Sequence, residues 1–130
     1  GQMDLLVRQA GGGPLLLFEN RLPRKHSLQV SLRGRTSNRQ GIGARLTAIV
    51  RGQQQVRELF PSNSFRSQAP NRVHFGLADA EVVDNLTIRW PSGEVQVFKN
   101  LKGDRHILVE EGKSGPDAIE TIVPGRTISP

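Results

Sequence analysis

The chain has 130 residues, 35% of them hydrophobic and 23% charged, with a net charge of +6. That is enough for one domain with its own core and too little for two ordinary ones. It contains no cysteine, which excludes disulfides, thiol nucleophiles and Cys-ligated zinc or iron–sulfur centres, and no apolar run approaches the roughly 18 residues of a membrane-spanning helix.

In chain order, Asp4-Leu5-Leu6-Val7 and Leu15-Leu16-Leu17-Phe18 read as two short strands around a flexible Gly11-Gly12-Gly13-Pro14 turn. After the polar joint Pro23-Arg24-Lys25-His26, Leu28, Val30 and Leu32 alternate with polar residues, the period of a half-buried strand. A polar loop runs from Arg35 to Gly43. Ala44, Leu46, Ala48 and Val50 then alternate with Arg45, Thr47, Ile49 and Arg51, and Gly52 turns the chain into Gln53 to Phe60, a predicted hairpin. Val73, Phe75 and Leu77 make another strand, and Asp79 to Asp84 has room for one short turn. Leu86 to Trp90 and Val95 to Phe98 flank Pro91-Ser92-Gly93-Glu94, a tight-turn sequence. His106 to Glu110 is the last core strand. The tail from Gly112 onward is rich in proline and reads as a linker with one strand-like patch, Ile119 to Val123.

No segment has a helical period, so the fold class is all-β: an antiparallel β-sandwich of short strands, preceded by a short N-terminal hairpin. The domain boundaries follow as 1–22 for the hairpin, 23–112 for the sandwich and 113–130 for the tail. The exposed N- or C-terminal strands are candidates for pairing with a second copy.

Charge is unevenly distributed. Residues 21–75 carry eleven basic residues against a single acid, Glu58. Arg33, Arg45, Arg51 and Arg57 fall on the polar side of their strands by alternation. If those strands are neighbours, the four make a basic stripe across one sheet face. A stripe of this kind suits a polyanion such as a sulfated glycan; its alternative is a solvated face, or one neutralised by the acidic C-terminal half. Nucleic acid fits poorly, because no aromatic side chains interleave with the basic ones.

Motifs for catalysis are missing from the sequence. Gly41-Ile42-Gly43 lacks the Gly-Lys-Ser/Thr of a phosphate loop and reads as a turn or bulge at strand entry. There is no nucleophile elbow. Asp79, Glu81, Asp84 and Glu94 are acids near turns that nothing singles out as a hydrolytic pair. His26, His74 and His106 lie in different segments. Leu86, Ile88 and Trp90 share one face, which places Trp90 in the core rather than on the surface as a sugar platform. The chain is therefore expected not to be an enzyme; an accessory domain of a polysaccharide-acting enzyme is the alternative.

Four clusters stand in a telling order: Asn38-Arg39-Gln40-Gly41-Ile42-Gly43-Ala44-Arg45, Gln55-Val56-Arg57-Glu58, His74-Phe75-Gly76-Leu77, and Val83-Asp84 leading to Ile88-Arg89-Trp90-Pro91-Ser92-Gly93. Over about residues 26–112 the chain resembles the ASPIC/UnbV domain, with Gly41, Gly43, Trp90, Pro91 and Gly93 as structural motif positions. Two departures stand out. Ala78 occupies a position where that family usually has glycine, and Ser62 to Arg66 replaces a glycine-rich stretch. Residues 1–20 resemble the end of an FG-GAP/VCBS propeller repeat, with Gly1 and Asp4 fitting the close of its calcium loop. The resemblance implies a non-catalytic binding or architectural module at the C-terminal end of an exported repeat protein. It would be periplasmic, cell-surface or extracellular, with a propeller before it in cis and a protein or glycan ligand. It also implies no cofactor in this segment and calcium only in the full-length repeat region. There Asp4 would be the last carboxylate of an intact upstream loop, since one carboxylate cannot supply the six to eight oxygens of the ion.

Overall fold

A computed structural model describes residues 3–62 and 68–123. The expectations for Gly1, for Asn63 to Ser67 and for the end of the tail lie outside these residues.

Among the described residues ten strands form: β1 (Leu5–Arg8), β2 (Leu15–Phe18), β3 (His26–Arg33), β4 (Arg45–Val50), β5 (Gln53–Glu58), β6 (Val73–Ala78), β7 (Val82–Arg89), β8 (Val95–Lys102), β9 (Arg105–Glu110) and β10 (Ile119–Ile122). One turn of 3-10 helix, Gly115–Ala118, precedes β10. The fold is all-β, as expected.

β1 and β2 make a hairpin of their own. The other strands form two four-stranded sheets, β10-β9-β3-β6 and β5-β4-β7-β8. Their apolar faces meet in a single core. Leu28, Val30 and Phe75 of the first sheet and Leu46, Leu86 and Ile88 of the second are fully buried. Alternation explains each choice, because every second side chain of a strand points to the same face.

One pairing departs from the antiparallel expectation. β3 and β9 run parallel, with Leu28 opposite Arg105 and Arg33 opposite Glu110. A parallel pair cannot be joined by a tight turn, and here all of the second sheet lies between the two strands in the chain. β10, the tail patch, pairs antiparallel with β9 and takes the sheet edge.

The β4–β5 hairpin turns on Arg51 and Gly52, with φ of 49° and 76°. Two consecutive positive φ values give the twist that matches flanking strands. This turn sets Val50 opposite Gln53, and hence Thr47 opposite Val56 and Leu46 opposite Arg57.

Candidate functional site

Two of the family-like clusters, Asn38 to Arg45 and Ile88 to Gly93, meet at one end of the sandwich, around the loop 34–43, the turn 90–94 and the residues after β9. Glu111 is the hub. Its side chain is wholly buried, at 0% relative exposure. Oε2 accepts from the backbone amides of Arg35 (2.7 Å), Thr36 (2.9 Å) and Ser37 (2.7 Å). Oε1 accepts from the Ser37 hydroxyl (2.7 Å) and the Ser92 hydroxyl (2.6 Å). Burial alone would raise the carboxyl pKa, but the hydrogen bonds from Ser92, Ser37 and Arg35 outweigh it and bring it down to about 2. Glu111 is thus a fixed internal anion. Every lone pair is directed at the chain's own donors, so it is not placed to act as an acid or base on a ligand.

Around it the other motif residues tie the loops together. Asn38 donates to the Ile42 carbonyl (2.7 Å) and accepts from the Ile42 amide (2.9 Å), closing the Gly41-Ile42-Gly43 turn. Gly41 has φ 65°, and a Cβ there would sit 2.7 Å from Leu32 Cβ and 3.3 Å from the Trp90 ring. Trp90 is buried, as its alternation predicts, and its indole N–H donates to Gln96 Oε1. Gln96 in turn donates to the carbonyls of Glu110 (3.1 Å) and Lys113 (2.5 Å). Gly93 closes the 90–94 turn by donating to the Trp90 carbonyl (3.0 Å), with φ 92°. Pro91 is in ordinary contact range of a Cβ built on Gly43.

The four arginines do not form one stripe. Arg33 is on β3, in the sheet opposite the other three, because β3 pairs with β6 and β9 rather than with β4. Arg51 sits in the hairpin turn and donates to the Asp79 carbonyl (3.0 Å). Arg57 shares the inward side with Leu46, since the two-residue turn fixes that register. Its guanidinium lies over the Phe75 ring at 5.9 Å. Of the three associated with the second sheet, only Arg45 faces outward as expected, with Nε 3.8 Å from Glu58.

Two of the three histidines share a face. Gln29 is opposite His74 on one side and His106 on the other. His106 Nε2 bonds the Ser31 hydroxyl at 2.8 Å, whereas His74 Nε2 is a buried atom with no partner. Both imidazoles are held below the usual pKa, chiefly by burial and then by nearby cations, Arg57 and Arg72 for His74 and Arg72 for His106. His26 is at the other end of the fold, with Nδ1 2.5 Å from Asp104, and Lys25 pairs with Asp79 at 2.5 Å.

Asp4 is exposed and accepts the Asn20 amide at 2.9 Å, which closes the base of the hairpin. Among the described residues no group of three or more His, Asp or Glu gathers for a metal ion. Asp4 on its own does not fit calcium, a cation that takes six to eight oxygens.

Glu111, Ser37 and Gln96 were not singled out in the sequence. The only local trace is a pair of acids followed by glycine at the end of an apolar strand, a pattern that normally reads as a solvated strand end.

Two packed sheets with a polar hub at one end define a small β-sandwich domain whose most buried polar chemistry is structural. The family described as ASPIC and UnbV matches residues 34–116, from the start of the hub loop into the 3-10 turn, and the chain belongs to that family. No curated protein and no solved structure gave a significant match. Among the described residues no helix is long and apolar enough to cross a membrane.

Proposed function

We propose that the chain is a non-catalytic accessory module that closes the C-terminal end of an exported FG-GAP/VCBS repeat protein, with surfaces left for protein or glycan contact. The hairpin carries this reading. Leu5, Leu6, Leu15, Leu17 and Phe18 are 54–68% exposed, and they occupy both faces of β1 and β2. A lone two-stranded sheet is marginal in water, and an exposed patch of this kind marks an interaction surface. Strands of a preceding propeller blade would cover it. A second support is the hub: its polar groups are paired with one another and not aimed at a ligand.

The test compares backbone hydrogen exchange in the full-length protein and in this chain. The reading expects slow exchange at β1 and β2 in the full-length protein, fast exchange here, and no difference in the sandwich. Equally fast hairpin exchange in both would sink it. Turnover of a polysaccharide panel by this chain, abolished by Asp79→Asn or Glu94→Gln, would put the enzyme reading in its place.

A further inference from the structure

The second sheet ends at β8, so the outer edge of Val95–Lys102 has no strand beside it among the described residues. The registers align outward-facing side chains in rows that reach this edge. One row runs Arg45, Arg89, Val95; the next ends in Thr87 and Val97; the third ends in Asn85 and Lys99. Three features of this corner stand out.

The first is a like-charge pair. Arg45 and Arg89 are directly opposite across β4 and β7, a placement that costs stability in a sheet. Glu58, opposite Arg45 on β5, is 3.8 Å from it. Among the described residues neither Arg89 nor Lys99 has an ion-pair partner. The second feature is apolar: Val95 and Val97 are 53% and 51% exposed on the edge strand itself. The third is the open edge, whose unpaired backbone groups form a template for an added strand.

We propose that β8 is a docking edge for an extended acidic segment of a partner protein, with the pattern acid–x–apolar–x–acid. A strand laid along β8 presents every second side chain to the outer face. Its three outward positions then fall opposite Val95, Val97 and Lys99. An acid opposite Lys99 pairs with it directly. The apolar residue covers Val97. The second acid, beside Val95, extends along the row toward Arg89 and relieves the Arg45–Arg89 repulsion. Lys99 and Lys102 discourage pairing with a second copy of this edge, which is the usual role of edge lysines, and the same charges select an acidic strand. A sulfated glycan or nucleic acid supplies no backbone ladder for the edge and no apolar centre for the valines. The inference goes beyond the architectural role proposed above and does not depend on it.

The experiment titrates the 130-residue chain with the peptide acetyl-Ser-Glu-Thr-Val-Thr-Glu-Ser-amide and follows backbone amide shifts by NMR. A control peptide carries lysine in place of both glutamates. The expected result is a set of shifts centred on residues 95–99 that weakens with salt and is lost with the lysine peptide. Arg89→Glu places a carboxylate opposite Arg45, so the variant folds at least as stably, yet it should bind the acidic peptide about tenfold more weakly. Val97→Ser, which removes the apolar contact without changing the charge, should weaken binding independently. No shifts along 95–99 at millimolar peptide, or equal binding of the two peptides, overturns the proposal. So does a heparin-derived hexasaccharide that shifts these residues when the peptide does not.

Discussion

The Ser92 hydroxyl donates to Glu111 Oε1 at 2.6 Å, joining the turn between β7 and β8 to the end of β9. The amides of residues 35–37 hold the other oxygen of the same carboxylate. Three segments far apart in the chain are therefore fastened at one buried charge. Such a charge is tolerated only because its lone pairs are filled.

Removing that charge leaves its donors unpaired in a dry site. Glu111→Ala should lower unfolding stability by about 2–4 kcal/mol, read as a drop in the urea midpoint with the slope unchanged. Glu111→Gln fills the space but turns an amide N–H₂ toward other donors, so it should also destabilise. A midpoint unchanged in both variants would show that the hub does not hold the loops.

The pH dependence has two stages. Glu111 has its folded pKa lowered from 4.5 to about 2. Its stabilisation is therefore complete above the unfolded value and is lost as pH falls from 4.5 through 2. For a group this buried the loss amounts to roughly 3 kcal/mol. Asp79, Asp104 and Glu110 are also lowered, first by their hydrogen bonds with Lys25, His26 and Lys113; Asp79 and Asp104 are exposed and add little. His74 and His106, lowered mainly by burial, act in an earlier window. Their neutral form is favoured in the fold, so their stabilisation is present above 6.5 and declines as pH falls below it. Urea midpoints measured from pH 8 to pH 2 should show both stages. Glu111→Gln should flatten the lower one, and His74→Gln with His106→Gln the upper one.

Glycines at the hub separate two physical effects. Gly41→Ala meets both a positive φ and a collision with Leu32 and Trp90, and should cost about 2–4 kcal/mol. At Gly93 the φ is 92° but nothing lies within 4 Å of the new Cβ, so Gly93→Ala should cost only about 1–2 kcal/mol. Equal losses in thermal or urea unfolding would mean that backbone strain, not packing, dominates at Gly41.

Ala78 points the other way. It adopts φ 51°, a left-handed conformation that favours glycine, next to the irregular register at His26 and Ser27. Ala78→Gly should therefore stabilise the domain by about 1 kcal/mol. A measured loss would show that the alanine methyl makes a contact worth more than its strain.

Hairpin leucines should be dispensable to the sandwich. Leu5→Ser with Leu17→Ser removes exposed apolar surface and should shift sandwich stability by less than about 0.5 kcal/mol, while dye binding to exposed apolar surface falls. A large drop in the urea midpoint would mean that the hairpin supports the core.

Alternation made the strands and their buried faces legible. Leu28, Val30 and Leu32, then Leu46, Ala48 and Val50, then Leu86, Ile88 and Trp90 are all in the core. The departure at Ala78 was legible too, and it coincides with a positive φ. What could not be read was which strands become neighbours, because a period of two says which side is buried and nothing about the partner strand. The basic stripe failed there, with Arg33 carried to the opposite sheet by pairing with β9. Arg57 failed for a nearer reason. Val56 invites an inward placement, but the Arg51-Gly52 turn sets a register that puts Val56 outward. Glu111 was invisible because its donors are 74 to 76 residues away, except for Ser92 at 19.

The parallel seam between β3 and β9 also bears on when the domain can fold. Ser27 and Asp104, bonded at one end of that seam, are 77 residues apart. Closing so long a loop is paid in chain entropy before any contact repays it, which places folding of such topologies in the millisecond-to-second range. β3 is the first sandwich strand to be synthesised and must wait for nearly the last. Until β9 arrives, its apolar face has no finished sheet to join. A nascent chain is therefore committed to a long unfolded interval, and the domain completes in one late step.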